Sequence, residues 1–450
     1  MYWRMLSELN SQIIRKPIEI ILKENSKEYE EVTLTLAQKE YVEKTINKTG
    51  ERESEKLVLR HKEGEIYRIK AQNYVGSIKI PNSYQIIIQP KVPLSFIQML
   101  GYVLKIEDEK LFEIANIKKG HSVVDLLAKL FIDNASELID EGIYRNYILE
   151  TEEISTIRGK LLLAQNIRSP RITKEKFWCE FDQISANVLE NQIILFCAEI
   201  LLEHVSQNST IKIDLQNIIF KLQKEGVEEV SIETFQIDQV SFQRMNLHYA
   251  DIIRLCDFIL QFIWYDEFIG EGKQRAYGLL FSMHQLFQDF IYEICNKLYS
   301  KDYNVESEPK DYDLVERLNL NYSQYGAEPI SYKGGLKPDI VFFDKKSRTP
   351  KYVLEIKYKK DSPDASDYYQ ALAYSLTLKC PVMLFLPINE TKKMGDFEVK
   401  PLPDHPHKIY VRTINFSPED KDGNVVKDYI ETMKMRIRTE LKETFPDIIS

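Results

Sequence analysis

The sequence predicts a mixed α/β chain built in successive modules, and three observations predict it. The first hundred residues are runs of Val, Ile and Tyr broken by Gly, Pro and Asn, the pattern of strands and turns. From about residue 121 to 263, apolar residues recur at helical spacing. Beyond that, strand-like and helix-like runs are mixed, as in a sheet flanked by helices. The division is a β-rich N-terminal module over 1–115, a helical middle region over 116–270, an α/β core over 271–425 and a C-terminal helix over 426–450.

The elements follow in order. "EKLVLRH", "EIYRIKAQNYVGSIKI" and "YQIIIQPKV" read as strands, and the polar "EKTINKTGERESEK" as an exposed loop or hairpin tip. "SVVDLLAKLFIDNASELIDEGI", "ANVLENQIILFCAEILLEHV" and "HYADIIRLCDFILQFIW" read as helices, with a break near Asn208 and Ser209. Asn187, Glu190 and Asn191 fall on the solvated side of the second helix, and Asp182 reads as a cap or turn before it. A helix from about Gly278 to Tyr299 opens the last module, with Phe281, Phe287, Ile291 and Ile294 as core. "KDYNVESEPKDYDLVERLNLNYSQ" gives one or two strands, and "LKPDIVFF" with "YVLEIKYKK" gives a hairpin. A polar helix "SDYYQALAYSL", a buried strand near Val382 to Leu386, a late strand in "YVRTINFSP" and an amphipathic helix over about Val426 to Thr444 close the chain.

Composition narrows the class. With 450 residues, 44% of them hydrophobic, the chain is long enough for two to four domains with cores of their own. No apolar run of about 18 residues exists to span a bilayer, and the first twenty residues lack a signal-peptide core. Cys179, Cys197, Cys256, Cys295 and Cys380 are odd in number, far apart and without a C-x-x-C pair, so neither a disulfide framework nor a zinc ribbon is indicated. A cytoplasmic protein without membrane contact is expected. A net charge of −9 excludes a protein that coats nucleic acid by bulk attraction. Charge is local, however: nine basic residues face three acids between Lys333 and Lys360, which suits a phosphodiester substrate. "GEGKQR" lacks the Ser or Thr that a phosphate loop needs after its Lys, so no nucleotide hydrolysis by this chain is expected. His405 and His407 share one short segment with no third ligand nearby and read as exposed.

The hairpin carries the chemistry. Its connection runs from Asp344 to Pro350 with Ser347 at the midpoint. Antiparallel pairing about that midpoint sets Asp339 directly opposite Glu355, with Lys357 one step along the same face. Cβ atoms so opposed lie about 4.5–5.5 Å apart, and two carboxylates there repel. A divalent cation between them relieves the repulsion. Mg²⁺, or Mn²⁺ in its place, accepts one or two carboxylates and keeps several waters. The bare [DE]-x-K tripeptide also occurs at Asp108–Lys110 and Asp344–Lys346, where it reads as solvated charge. Here it lies in a hydrophobic strand, Pro-Asp opens the strand before it, and the helix after it places Gln370 and Tyr374 on one face.

Asp339, then Glu355-x-Lys357, then Gln370 and Tyr374 resembles the PD-(D/E)xK nuclease superfamily. "QNYVGSIKIPNSYQIIIQPKV", "IRGKLLLAQNI", "FWCEFDQISANVLENQIIL" and "MHQLFQDFIYEI" narrow the likeness to McrC, the nuclease subunit of McrBC-type restriction systems that cut DNA carrying modified cytosine. The resemblance spans roughly residues 55–390. It implies a PD-(D/E)xK core in the last module, Mg²⁺ at Asp339, Glu355 and the Ile356 carbonyl, and Asp339, Glu355 and Lys357 as the catalytic set. It gives Gln370 and Tyr374 a supporting role. It implies as partners double-stranded DNA and a McrB-like AAA+ GTPase on a separate chain, docked through the N-terminal region. Lys337, Lys345, Lys346 and Lys359 are candidate DNA contacts. One departure stands out: members often carry a glutamate after "LF" in the helix before the metal-binding strands, and here that position is Gln288, beside Asp289. The departure leaves a second reading open, an activator of the GTPase with a vestigial nuclease site. A third keeps the nuclease and changes the substrate to branched DNA.

Overall fold

The computed structural model describes residues 17–47, 56–91, 95–106, 122–168, 175–206, 210–230, 234–265, 276–309, 312–313, 335–359, 362–387, 396–397, 408–417, 426 and 428–448. "GEGKQR", Lys333, Lys360, His405, His407 and most of the polar "EKTINKTGERESEK" stretch lie outside the described residues. The fold is mixed α/β, with several sheets and helices on them.

Strands β1 (Ile18–Lys23), β2 (Glu30–Thr33), β3 (Leu57–Glu63), β4 (Ile66–Ala71), β5 (Val75–Ile80) and β6 (Tyr84–Gln89) make the N-terminal module, with a short helix α1 (Leu36–Tyr41). The period-two alternation of β4 buries Tyr67, Ile69 and Ala71 and turns Arg68 outward. A three-stranded sheet runs β2-β4-β3. A five-stranded sheet runs β1-β6-β5 and then takes in β11 (Ala276–Phe281) and β10 (Ile263–Tyr265). Two late strands therefore complete the first sheet. Gly278 to Phe281, expected as the first turn of a helix, is strand: it pairs antiparallel with Ile78 to Val75. Gly76 makes the close approach possible. Its φ is +133°, and a Cβ there would overlap the Leu279 carbonyl oxygen. Gly76→Ala is expected to destabilise the fold by about 2 kcal/mol or more, read as a lower urea midpoint, because strain at φ > 0 and a backbone clash add.

Helix α2 (Phe96–Leu104) still falls within the first 115 residues, and the middle region holds helices α3 (Val123–Glu141), α4 (Leu163–Arg168), α5 (Leu189–His204), α6 (Thr210–Lys224) and α7 (Ala250–Gln261). It is not purely helical. Strands β7 (Asn146–Ile154), β8 (Lys160–Leu161) and β9 (Phe177–Ser185) form a sheet in the order β7-β9-β8. Asp182, read as a cap, lies within β9 opposite Leu149. Glu190 and Asn191, read as solvated, are buried. Asn191 Nδ2 donates to the Tyr144 and Ala186 carbonyls, and its Oδ1 accepts from the Tyr249 hydroxyl. Glu190 accepts from Asn246. Helix α5 is covered on more sides than a surface helix is, so its polar residues tie loops to the core.

The last module is a six-stranded sheet, β12 (Tyr303–Ser307), β15 (Ile340–Asp344), β16 (Pro350–Ile356), β17 (Val382–Pro387), β19 (Ile409–Ile414) and β18 (Asp396–Phe397) in that spatial order. A separate pair joins β13 (Tyr312–Asp313) and β14 (Gly335–Leu336). The register of β15 and β16 pairs Ile340 with Leu354 and Phe342 with Tyr352, as the hairpin midpoint predicts, and a bulge at Phe343 and Pro350 shifts only the turn end. β16, β17 and β19 run parallel. Side chains alternate across the sheet. Val341, Val353, Leu384 and Val411 pack under α9 (Ala365–Leu378), whereas Ile340, Phe342, Leu354 and Phe385 join the large core with α8 (Met283–Tyr299) and α10 (Tyr429–Thr444). Phe281, Phe287, Ile291 and Ile294 are buried there, as expected. All five cysteines are buried free thiols. No described helix is long and apolar enough to cross a membrane.

Candidate active site

Pro338 leads into β15, and Asp339 stands just before its first paired residue. Extending the β15–β16 register by one residue places Asp339 across from Glu355. The hydrogen bonds agree. The Ile356 N–H donates to Asp339 Oδ2 at 2.6 Å, and the Asp339 N–H points to Glu355 Oε2 at 3.4 Å. Both carboxyls are withdrawn from solvent, at 8% and 2% exposure. Burial raises the Asp339 pKa to about 8, and the neighbouring Glu355 charge adds to the rise. Burial also raises Glu355, against the pull of Lys357.

Lys357 follows on the same face. Its Nζ donates to Glu355 Oε1 at 2.7 Å and to Gln370 Oε1 at 2.7 Å, and lies 3.6 Å from Asp367 Oδ1. The Gln370 amide donates to the Tyr374 hydroxyl at 2.7 Å, which donates to the Lys337 carbonyl at 2.9 Å. Gln370 and Tyr374, one helical turn apart on α9, thus connect Lys357 back to the loop that delivers Asp339. The sequence reading brings these five side chains together, and the structure does too.

The candidate DNA contacts are not gathered in one place. Lys337 is exposed, two residues before Asp339 in the chain. Lys345 and Lys346 sit in the hairpin turn, at the other end of β15, and five residues of strand at about 3.3 Å each separate them from Asp339. Lys359 is already engaged, with Nζ 2.9 Å from Asp364 and 2.7 Å from Asp367.

Asp367 and Glu308 are additions that sequence reasoning missed. Asp364 and Asp367 form the capping box of α9. Asp367 is 3% exposed and faces both Lys357 and Lys359. Its only sequence signal is an acid three residues after an N-cap. Glu308 directly follows β12, and its N–H donates to the Asp339 carbonyl at 3.0 Å. Its carboxylate accepts from Gln288 at 3.2 Å and adds negative charge near Asp339. Gln288, buried to 1% exposure, therefore holds an acid from another element. Asp289 turns away to Gln285.

The donor set suits a hard cation. Two carboxylates and the Ile356 carbonyl are oxygen donors of the kind Mg²⁺ and Mn²⁺ take, and the mutual repulsion of the carboxylates favours positive charge between them. Among the described residues no group of three or more His, Cys, Asp or Glu side chains forms a metal cage. Any ion here would keep coordination sites for water and substrate.

Comparison with known proteins places the chain. The family model of the McrBC 5-methylcytosine restriction system component matches residues 69–386. A curated relative, the type IV methyl-directed restriction enzyme EcoKMcrBC of Escherichia coli strain K12, is 25% identical over 219 residues, which are 46% of this chain and 60% of that relative's length. A solved structure, the half-complex of Thermococcus gammatolerans McrB AAA+ hexamers with bound McrC, matches with a TM-score of 0.58 at 18% identity, over 94% of this chain and all of the matched one, and so shows a shared fold. With its family model covering most of the chain, the protein belongs to the McrBC 5-methylcytosine restriction system component family.

Proposed function

We propose that this chain is the DNA-cleaving subunit of a modification-dependent restriction complex, a metal-dependent endodeoxyribonuclease of the PD-(D/E)xK class. One observation carries the reading: Asp339 and Glu355 are buried side by side with the Lys357 ammonium 2.7 Å from Glu355. Asp339, Glu355 and the Ile356 carbonyl would hold Mg²⁺ or Mn²⁺, which when bound polarises the phosphate and makes water a better nucleophile. The protein's own groups do the rest. Glu355 and Gln370 fix the Lys357 ammonium between them, so it meets the developing charge without reorganising. The Ile356 N–H pins one oxygen of Asp339 and orients the other. Tyr374 and Gln370 keep Lys357 and the Asp339 loop in register. Lys337, exposed two residues before Asp339, would meet the DNA backbone. Chain composition offers little general DNA affinity, so recognition falls to a partner. The solved relative is bound to AAA+ hexamers, and a separate ring-forming GTPase that this chain stimulates is the partner proposed here.

The activator reading rested on Gln288. The amide of that residue holds Glu308 beside Asp339, so the position still serves an acidic centre. The test is cleavage of methylated double-stranded DNA by this chain reconstituted with its cognate ring GTPase. Glu355→Ala is expected to abolish Mg²⁺-dependent cutting while GTP hydrolysis remains stimulated. Cutting at the wild-type rate by that variant would remove the nuclease assignment from this site.

A further inference from the structure

The proposed cleavage centre carries a tie to a distant module. Glu24 directly follows β1, and Lys91 lies two residues past β6, so both stand at one end of the N-terminal sheet. The Lys91 N–H donates to Glu24 Oε2 at 3.2 Å, and Lys91 Nζ lies 3.5 Å from Glu24 Oε1. The Glu24 side chain is 1% exposed and that of Lys91 17%. The same ammonium sits 4.6 Å from the centre of the Tyr358 ring. Tyr358 is itself buried and is the residue after Lys357. Its ring leans on Phe287 of α8, 6.1 Å away. His284, in the first turn of α8, is close enough to Lys91, Lys357 and the Ile356 backbone for all three to bear on its charge.

A buried ion pair is a poor source of stability, since desolvation costs about as much as the attraction returns, but it fixes geometry. Here it fixes the segment that needs fixing. β16 ends at Ile356, and residues 357–359 continue without sheet structure, held by the Lys357 N–H to the Phe385 carbonyl. Lys357 projects to the α9 side, and Tyr358 projects to the other, where Lys91 lies over it. We propose that Lys91 is a positioning residue for the nuclease centre: with Glu24 it clamps Tyr358, so the N-terminal module sets the placement of the Lys357 ammonium against Glu355. The inference rests on the nuclease reading above and adds that the centre works only when the N-terminal sheet is seated. A partner docked on that module would then act on cleavage through this clamp.

The experiment measures single-turnover cleavage, DNA affinity and GTPase stimulation in the reconstituted complex, with Lys357→Ala as the control. The double variant Glu24→Gln/Lys91→Met removes both charges together, so no buried carboxylate is orphaned. Its cleavage rate is expected to fall about tenfold or more, because small misplacement of a catalytic group is costly. DNA affinity and melting temperature should stay as in the wild type. Lys91→Arg, which keeps the cation over the ring, should restore most of the rate. Tyr358→Leu should match the double variant, and combining the two should cost nothing further, as for residues acting through one contact. If the double variant does not fold, Tyr358→Leu alone decides. A folded clamp variant that cuts at the wild-type rate while Lys357→Ala is dead overturns the clamp and leaves the nuclease reading intact. Wild-type cutting by Lys357→Ala itself overturns the underlying reading.

Discussion

Replacing Lys357 by alanine is expected to lower the rate of DNA cleavage by about 10³-fold, with DNA binding and GTPase stimulation retained. The size follows from what the ammonium does. It is only 12% exposed and is held by Glu355 and Gln370, with Asp367 behind it. A charge so fixed contributes more to a transition state than a mobile one, because it pays no reorganisation. Its loss also changes Glu355. Lys357 lowers the Glu355 pKa, which burial raises. Without the lysine, Glu355 ionises at higher pH, so the residual activity of Lys357→Ala should show an acid limb displaced upward. Arginine should not rescue: a planar fork cannot replace a compact ammonium between two oxygens 2.7 Å away. A pH–rate profile of the two variants checks both points. An unmoved acid limb would mean that Glu355 does not feel this lysine.

The centre was readable in the sequence where local rules set it. Strand alternation and a symmetric turn fix which residues of a hairpin face each other, and the observed pairing of Ile340 with Leu354 follows that arithmetic. Helical spacing likewise puts Gln370 and Tyr374 together. Groups brought in by tertiary pairing left no local mark. Glu308 arrives because β12 pairs with β15, and Lys91 because one end of the first sheet meets α8 and the tail of β16. Asp367 looked like any acid in a first helical turn. The β7–β9 sheet was missed because "NYILETEEI" alternates only weakly, leaving Tyr147 and Leu149 exposed, which is no signal of a core-facing strand. Buried Glu190 and Asn191 were misread because periodicity does not say how many sides of a helix are covered.

In metal-free protein, Asp339→Asn is expected to be more stable than the wild type at pH 8, by several kcal/mol, and about equal to it at pH 4. The Asp339 pKa rises from 3.8 to about 8 on folding. The folded state therefore prefers the protonated carboxyl. That preference stabilises fully below about pH 4 and is lost as pH climbs toward 8, where Asp339 must ionise beside Glu355 without solvent. Asparagine keeps an oxygen for the Ile356 N–H and never ionises, so its stability should lack this slope. Saturating Mg²⁺ should reverse the order. A cation binds the ionised pair far more tightly than one carboxylate beside an amide, and so stabilises the wild type much more, in proportion to the logarithm of its concentration over Kd. Urea melts of both proteins at the two pH values, with chelator and with Mg²⁺, give four comparisons. If the asparagine protein gains nothing at pH 8 and the wild type gains nothing from Mg²⁺, the two acids are not a cation site. The same buried repulsion that burdens the empty hairpin is what would give the ion its hold, so the destabilisation and the affinity should rise or vanish together across substitutions at Asp339, Glu355 and Lys357.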